Sequence, residues 1–143
     1  KDIIIELGTY GNDQKPIVWR NIAIENDDII LLSQEILEEI EGGQFLNDWL
    51  NNFAYHSFSS NELSELQDKI RLLTIEEAEQ LSQDELSAKE IWWLKDTRGN
   101  LQSVIREDGT IYKRGYNNKL CKKGVRPVIV LDSVTLCSIL KKS

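Results

Sequence analysis

Residues 91–94 read Ile91-Trp92-Trp93-Leu94, four apolar side chains in a row, two of them indoles. The run is too short and too aromatic for a helix and suits a core strand. Its place in the chain decides the fold class, because it closes a long helical stretch and opens a second set of strands. Downstream, Leu101, Ser103 and Ile105 alternate with Gln102, Val104 and Arg106, and Asp108-Gly109 is a hairpin signal before Ile111-Tyr112. Val125 to Leu131 makes a last apolar strand, in which Pro127 is restricted to an edge or a bulge.

Upstream of the tryptophans the pattern is helical. Phe45, Leu46, Trp49, Leu50 and Phe53 form one wide apolar stripe at helical spacing. Ser59 and Glu62 make a capping box ahead of Leu63, Leu66 and Ile70, and Thr74 with Glu77 repeats it ahead of Ala78 and Leu81. Two main helices are expected, around 45–53 and 60–70. A short helix is expected before them, with Ser33 as its N-cap, Ile36, Leu37 and Ile40 inward, and Gly42-Gly43 as its stop. The chain opens with strands: Ile3 to Leu7, then a turn between Gly8 and Asp13, then Ile17 to Ile24 with Val18, Ile22 and Ile24 on one parity and Trp19 on the other. After a turn at Asp27-Asp28, the unbroken run Ile29-Ile30-Leu31-Leu32 fits a central strand buried on both faces, with a short helix as the alternative that periodicity alone leaves open. Strands, helices, strands is an α+β order, and no repeat or low-complexity stretch interrupts it.

At 143 residues with 41% hydrophobic and 29% charged residues, the chain has the length and composition of one ordinary globular domain with one core. No apolar run approaches the roughly 20 residues of a membrane span. The chain starts at Lys1, within a strand-like stretch, and carries no secretory signal or Met, so it is expected to be a domain excised from a larger protein. The net charge of −7 argues against nucleic acid as a general partner, but the charge is uneven. Residues 1–94 carry 6 Lys/Arg against 20 Asp/Glu, and residues 95–143 carry 11 against 4. The basic segment is either the electrostatic counterpart of an acidic helical half or the lining of a site for a carboxylate, sulfate or phosphate.

Catalytic patterns are missing. His56 is the one histidine, at the end of a helix, and there is no His-Glu-x-x-His, Gly-x-Ser-x-Gly or glycine-rich phosphate loop. Acidic pairs such as Glu38/Glu39 and Glu76/Glu77 fall on helix faces and in turns, where solvated charge explains them. Cys121 and Cys137 stand 16 positions apart. They are either two thiols or a disulfide contributing about 3 kcal/mol. No metal or other cofactor is expected.

In order, the chain presents Gly8-Thr9-Tyr10, Pro16-Ile17-Val18-Trp19-Arg20, Leu31-Leu32-Ser33, Trp49-Leu50-Asn51, Leu72-Leu73-Thr74-Ile75-Glu76-Glu77-Ala78, Trp92-Trp93-Leu94-Lys95 with Asp108-Gly109, and Gly124-Val125-Arg126-Pro127. Over nearly its whole length it resembles an uncharacterised bacterial domain family with these motifs. That family is similar to the C-type-lectin-like superfold shared by sulfatase-modifying enzymes and the variable proteins of diversity-generating retroelements. The resemblance implies a C-type-lectin-like α+β domain over 1–143, a twisted antiparallel sheet with the N-terminal strands near the C-terminal one, flanked by the two main helices. It also implies a place in a larger bacterial protein, whose location the sequence leaves open, with an extracellular or cell-surface one favoured. Lys95 stands where the family has Arg, and Asp96-Thr97-Arg98 replaces its Ser-Pro continuation.

In the variable proteins the interval before the closing strand forms the ligand-binding face, here Lys95 to Lys123. The resemblance together with the basic charge makes Trp93, Arg98, Arg106, Lys113, Arg114, Tyr116 and Asn118 the candidate ligand-binding residues. Neighbouring strand residues point to opposite sides, so at most one of Trp92 and Trp93 can offer an indole to a sugar, and both filling the core is the other reading. Arg126 is either a site residue or a core-edge Arg with an acidic partner. The expected function is a non-enzymatic binding or display module for an anionic glycan or an acidic protein surface. The competing expectations are a metal-dependent oxidoreductase of the sulfatase-modifying type, whose close cysteine pair is not matched here, and a structural spacer with no ligand.

Overall fold

The computed structural model describes residues 3–142. It opens with strands β1 (Ile4–Tyr10), β2 (Lys15–Glu25), β3 (Asp28–Ser33) and β4 (Glu38–Glu41). Helices α1 (Gly43–Ser57) and α2 (Ser60–Leu66) follow, then β5 (Ile70–Arg71), α3 (Ile75–Ala78) and α4 (Gln83–Leu86). Strands β6 (Trp92–Arg98), β7 (Leu101–Ile105), β8 (Ile111–Asn117), β9 (Lys122–Val125) and β10 (Val128–Asp132) lead to a closing helix α5 (Ser133–Lys142). The class is mixed α+β, and the strands form two open sheets where the sequence suggested one. They belong to two compact units, one of residues 1–34, 50–71 and 128–143, the other of residues 35–49 and 72–127.

In the first unit the sheet order is β1-β2-β3-β10-β5, so the N-terminal strands and the last strand share one sheet, as expected. Asn26 and Asp27 turn β2 into β3 with φ of 51° and 72°, the left-handed pair that two-residue hairpins require. Ile30, Leu31, Leu32 and Ser33 are all buried because β3 lies between β2 and β10, which is the two-faced burial its unbroken apolar run implied. Trp19 is buried and its indole N–H donates to the Leu7 carbonyl at 2.7 Å. The side chain of Ile24 lies outside the described residues.

Helix α1 forms where the apolar stripe lies. Leu46 and Phe53 are buried and Trp49 and Leu50 are half-buried, but Phe45 is 55% exposed. One residue is about 100° of helix, and the stripe that packs is narrower than the apolar spacing suggests. Phe53 sits between Tyr10 and Phe58, with ring centroids 6.0 and 5.6 Å away.

The second unit has the order β4-β9-β6-β7-β8, with β6 and β9 parallel at Trp92 and Gly124 and the other pairs antiparallel. Both tryptophans of the central β6 are fully buried. The Trp92 indole N–H donates to the Leu86 carbonyl at 2.9 Å and that of Trp93 to the Ile40 carbonyl at 2.9 Å. Each indole thus has an apolar environment and one acceptor. Helix α3 packs on β6 and β8, and the Asp96 carboxylate accepts from the Ile75 amide at 2.8 Å.

Three expectations about elements are corrected. The short helix after Ser33 is absent: Glu38–Glu41 is strand β4, its Glu41 opposite Lys122 of β9. A helix of two turns is marginal by itself, and pairing with β9 satisfies the same backbone groups. The helix placed over 60–70 ends at Leu66, and Ile70 pairs with Ile129 in β5, after Asp68 takes a left-handed φ of 65°. The strand read across Val125 to Leu131 is two strands in different sheets, β9 and β10, broken at Arg126-Pro127. Proline cannot donate to a ladder, so a change of sheet there costs no hydrogen bond at that residue. The segment carrying Cys137 is helix α5.

Candidate functional site

The interval between β6 and β9 is built on a bulge. Val104 faces Tyr112 and Gln102 faces Tyr116, so four steps along β8 oppose two along β7. Gly115 makes the excursion with a φ of 68°, and a Cβ on it would overlap the Gln102 carbonyl. In a regular strand residues four apart are roughly 13 Å apart. Here the rings of Tyr112 and Tyr116 touch edge to face, 5.7 Å between centroids.

Each ring carries a cation. The Arg106 guanidinium lies 4.3 Å from the centre of the Tyr112 ring, and the Lys123 ammonium 4.2 Å from that of Tyr116. The face of an aromatic ring is its negative side, so the contacts orient two flexible side chains without neutralising them. Arg106 is exposed, and Tyr112, Tyr116 and Lys123 are half-buried. Asp108 lies near enough to Arg106 to feel its charge, but its carboxylate is engaged by the Thr110 hydroxyl at 2.7 Å and amide at 3.0 Å. These bonds, the hydroxyl's first, hold the Asp108 carboxyl below the usual carboxylate range.

Of the seven residues singled out from the sequence, Arg106 and Tyr116 meet in this row, linked through Tyr112. Arg114, between the two tyrosines in sequence, is exposed and has no side-chain partner among the described residues. Arg98 is exposed at the end of β6, beside the turn at Gly99. Lys113 follows Tyr112 in the strand and so leaves the other face, where it pairs with Glu79 at 3.1 Å. Asn118 is buried, its amide donating to the Gln102 side chain at 3.1 Å. That Gln102 also accepts from the Gly43 amide at 2.9 Å and donates to the Leu94 carbonyl at 2.7 Å. Trp93 is wholly inside and offers no surface to a ligand. Arg126 is buried with its guanidinium 4.7 Å from the Trp92 ring centre and donates to the Leu86 carbonyl at 3.3 Å.

Tyr112 and Lys123 are the participants that the sequence reading did not select. The signal for Tyr112 was present in a mid-strand glycine, which marks a bulge; Lys123 belongs to the basic interval, but nothing in the sequence set it apart from Lys119 and Lys122. Elsewhere, Cys121 is half-buried and Cys137 exposed, both as free thiols. Among the described residues, no group of three or more His, Cys, Asp and Glu is arranged to hold a metal ion, and no helix is long and apolar enough to cross a membrane. His56 borders a shallow depression of about 380 Å³ with Gly8, Thr9 and Gln14, and a groove of about 450 Å³ lies along Leu50, Ala54, Tyr55, Leu63 and Ile70. No protein-family model, no curated protein and no solved structure matches the chain.

Proposed function

We propose that the chain is a non-catalytic, C-type-lectin-like binding or display module of a larger bacterial surface protein, with an anionic ligand held on the tyrosine face of β8. The row of Arg106, Tyr112, Tyr116 and Lys123 carries this reading. Two cations are preoriented on aromatic rings at the surface, beside the exposed Arg114, and charge-assisted hydrogen bonds to carboxylate or sulfate are the strong contacts such groups make. The lectin-like reading draws support from one sheet joining the N-terminal strands to the C-terminal strand, with the aromatic β6 and the candidate face in the other sheet.

Binding to a sulfated polysaccharide column tests it. Retention is expected at low salt and should weaken as the Debye length falls to about 8 Å near physiological strength. Arg106→Gln combined with Lys123→Gln should abolish retention while leaving the tryptophan near-ultraviolet signal intact. Undiminished retention of that double variant would refute the assigned face.

A further inference from the structure

Independently of the β8 face, we infer that helix α5 is a contact between two copies of this chain, packed antiparallel about a two-fold axis at Cys137. Leu136 and Ile139 point α5 inward and are buried. The opposite arc holds Ser133, Val134, Cys137, Leu140 and Lys141, all exposed, Val134 at 77% and Leu140 at 38%. At about 100° per residue the arc spans roughly 120° with Cys137 at its centre. Its middle is apolar, since a free cysteine behaves as a small hydrophobe. The arc is also symmetric in sequence: Val134 and Leu140 stand three residues either side of Cys137, and Ser133 and Lys141 four. A face that maps onto itself on reversal is what an isologous interface needs. In the antiparallel pair Cys137 meets Cys137 of the second copy, and each Val134 meets the other copy's Leu140. Charge fixes the direction. In a parallel pair the two Lys141 ammonium groups would lie together and repel; antiparallel, they stand about 12 Å apart along the axis, beyond a Debye length of roughly 8 Å. Each then reaches the other copy's Asp132, whose carboxylate accepts from the Thr135 amide at 2.6 Å and keeps further lone pairs for a cation. A different protein would require no such symmetry, and one lysine gives an anionic bilayer little to hold. Five side chains are far fewer than the roughly 20–30 residues a side of a standard interface. The pairing is therefore weak, between micromolar and millimolar, and leaves Cys137 open to reagents in dilute protein.

Sedimentation equilibrium from micromolar to millimolar protein, with reductant present, tests this. The mass is expected to rise from one chain to two and no further, because a two-fold contact closes on itself. Val134→Lys, at a largely exposed position where lysine suits a helix better than valine, keeps the fold and should weaken dimerisation about tenfold or more. Direction is read from new cysteines in a Cys121→Ser, Cys137→Ser background. Val134→Cys mixed with Leu140→Cys should form a disulfide under oxidised glutathione. Val134→Cys alone should not, since the two copies of that position stand about 9 Å apart along the axis and a disulfide needs Cα atoms within about 7 Å. A monomer at millimolar protein, or a dimer unaffected by Val134→Lys, overturns the contact. A disulfide in Val134→Cys alone overturns the antiparallel register. A chain that stays monomeric yet floats with phosphatidylglycerol vesicles, and no longer does so as Val134→Lys, also overturns the dimer and gives the arc to a bilayer surface.

Discussion

Gly115 is the residue on which the candidate face depends. Its φ of 68° costs an L-residue roughly 1–2 kcal/mol, and a Cβ would in addition overlap the Gln102 backbone carbonyl. Gly99 provides the contrast, with a φ of 60° and nothing within 4 Å of an added Cβ. Gly115→Ala is therefore expected to lose more than about 2 kcal/mol in urea unfolding and to lose sulfated-ligand binding, whereas Gly99→Ala loses about 1 kcal/mol and keeps it. Equal losses would mean that the bulge does not hold the tyrosines together. The glycine could be seen in the sequence as an interruption of a strand; the carbonyl it packs against could not. Trp93 shows the reverse. Its aromatic character invited a surface role, and burial on both faces of β6 removed it from the surface.

Among the elements, the helices that open on a capping box are the most legible. Ser59 with Glu62 and Thr74 with Glu77 form the reciprocal capping boxes expected of them, and Ser82 with Glu85 forms a third that escaped notice. Capping is local chemistry, so a four-residue signature suffices. Helix α5 starts differently: the Asp132 carboxylate accepts from the Thr135 amide at 2.6 Å, and this bond first, then that to the Thr135 side chain, lowers its pKa. A carboxyl that is more acidic folded than unfolded stabilises fully above its unfolded pKa of about 3.9, and that contribution is lost as pH falls through the folded value. Asp108 behaves likewise. The urea midpoint is expected to be flat above about pH 5 and to drop below about pH 4. Asp132→Asn, which keeps a capping oxygen, should flatten part of the drop. A variant as acid-sensitive as the unmodified protein would remove Asp132 from that account.

At the scale of the whole molecule, the two cysteines are both free, Cys137 exposed and Cys121 half-buried. A thiol reagent should modify Cys137 quickly and Cys121 more slowly, and a reductant should leave the unfolding midpoint unchanged; a midpoint lowered by reductant would point to a disulfide and contradict this. Charge follows a similar division between what is local and what is not. The excess of acid before residue 95 and of base after it is plain in the sequence. Its use depends on neighbours: Lys113 is spent on Glu79 and Arg126 is buried against Trp92, while Arg106 and Lys123 stay at the surface on tyrosines. By itself the sequence determined the α+β class, the hairpins, the capping boxes and the central burial of β3, because propensity, turn chemistry and apolar periodicity act over a few residues. Only the tertiary structure decided that Val125 to Leu131 divides between two sheets, that Glu38–Glu41 is a strand, and which cations share a face. Those outcomes depend on hydrogen bonds and packing between segments far apart in the chain, for which no local pattern of residues carries a signal.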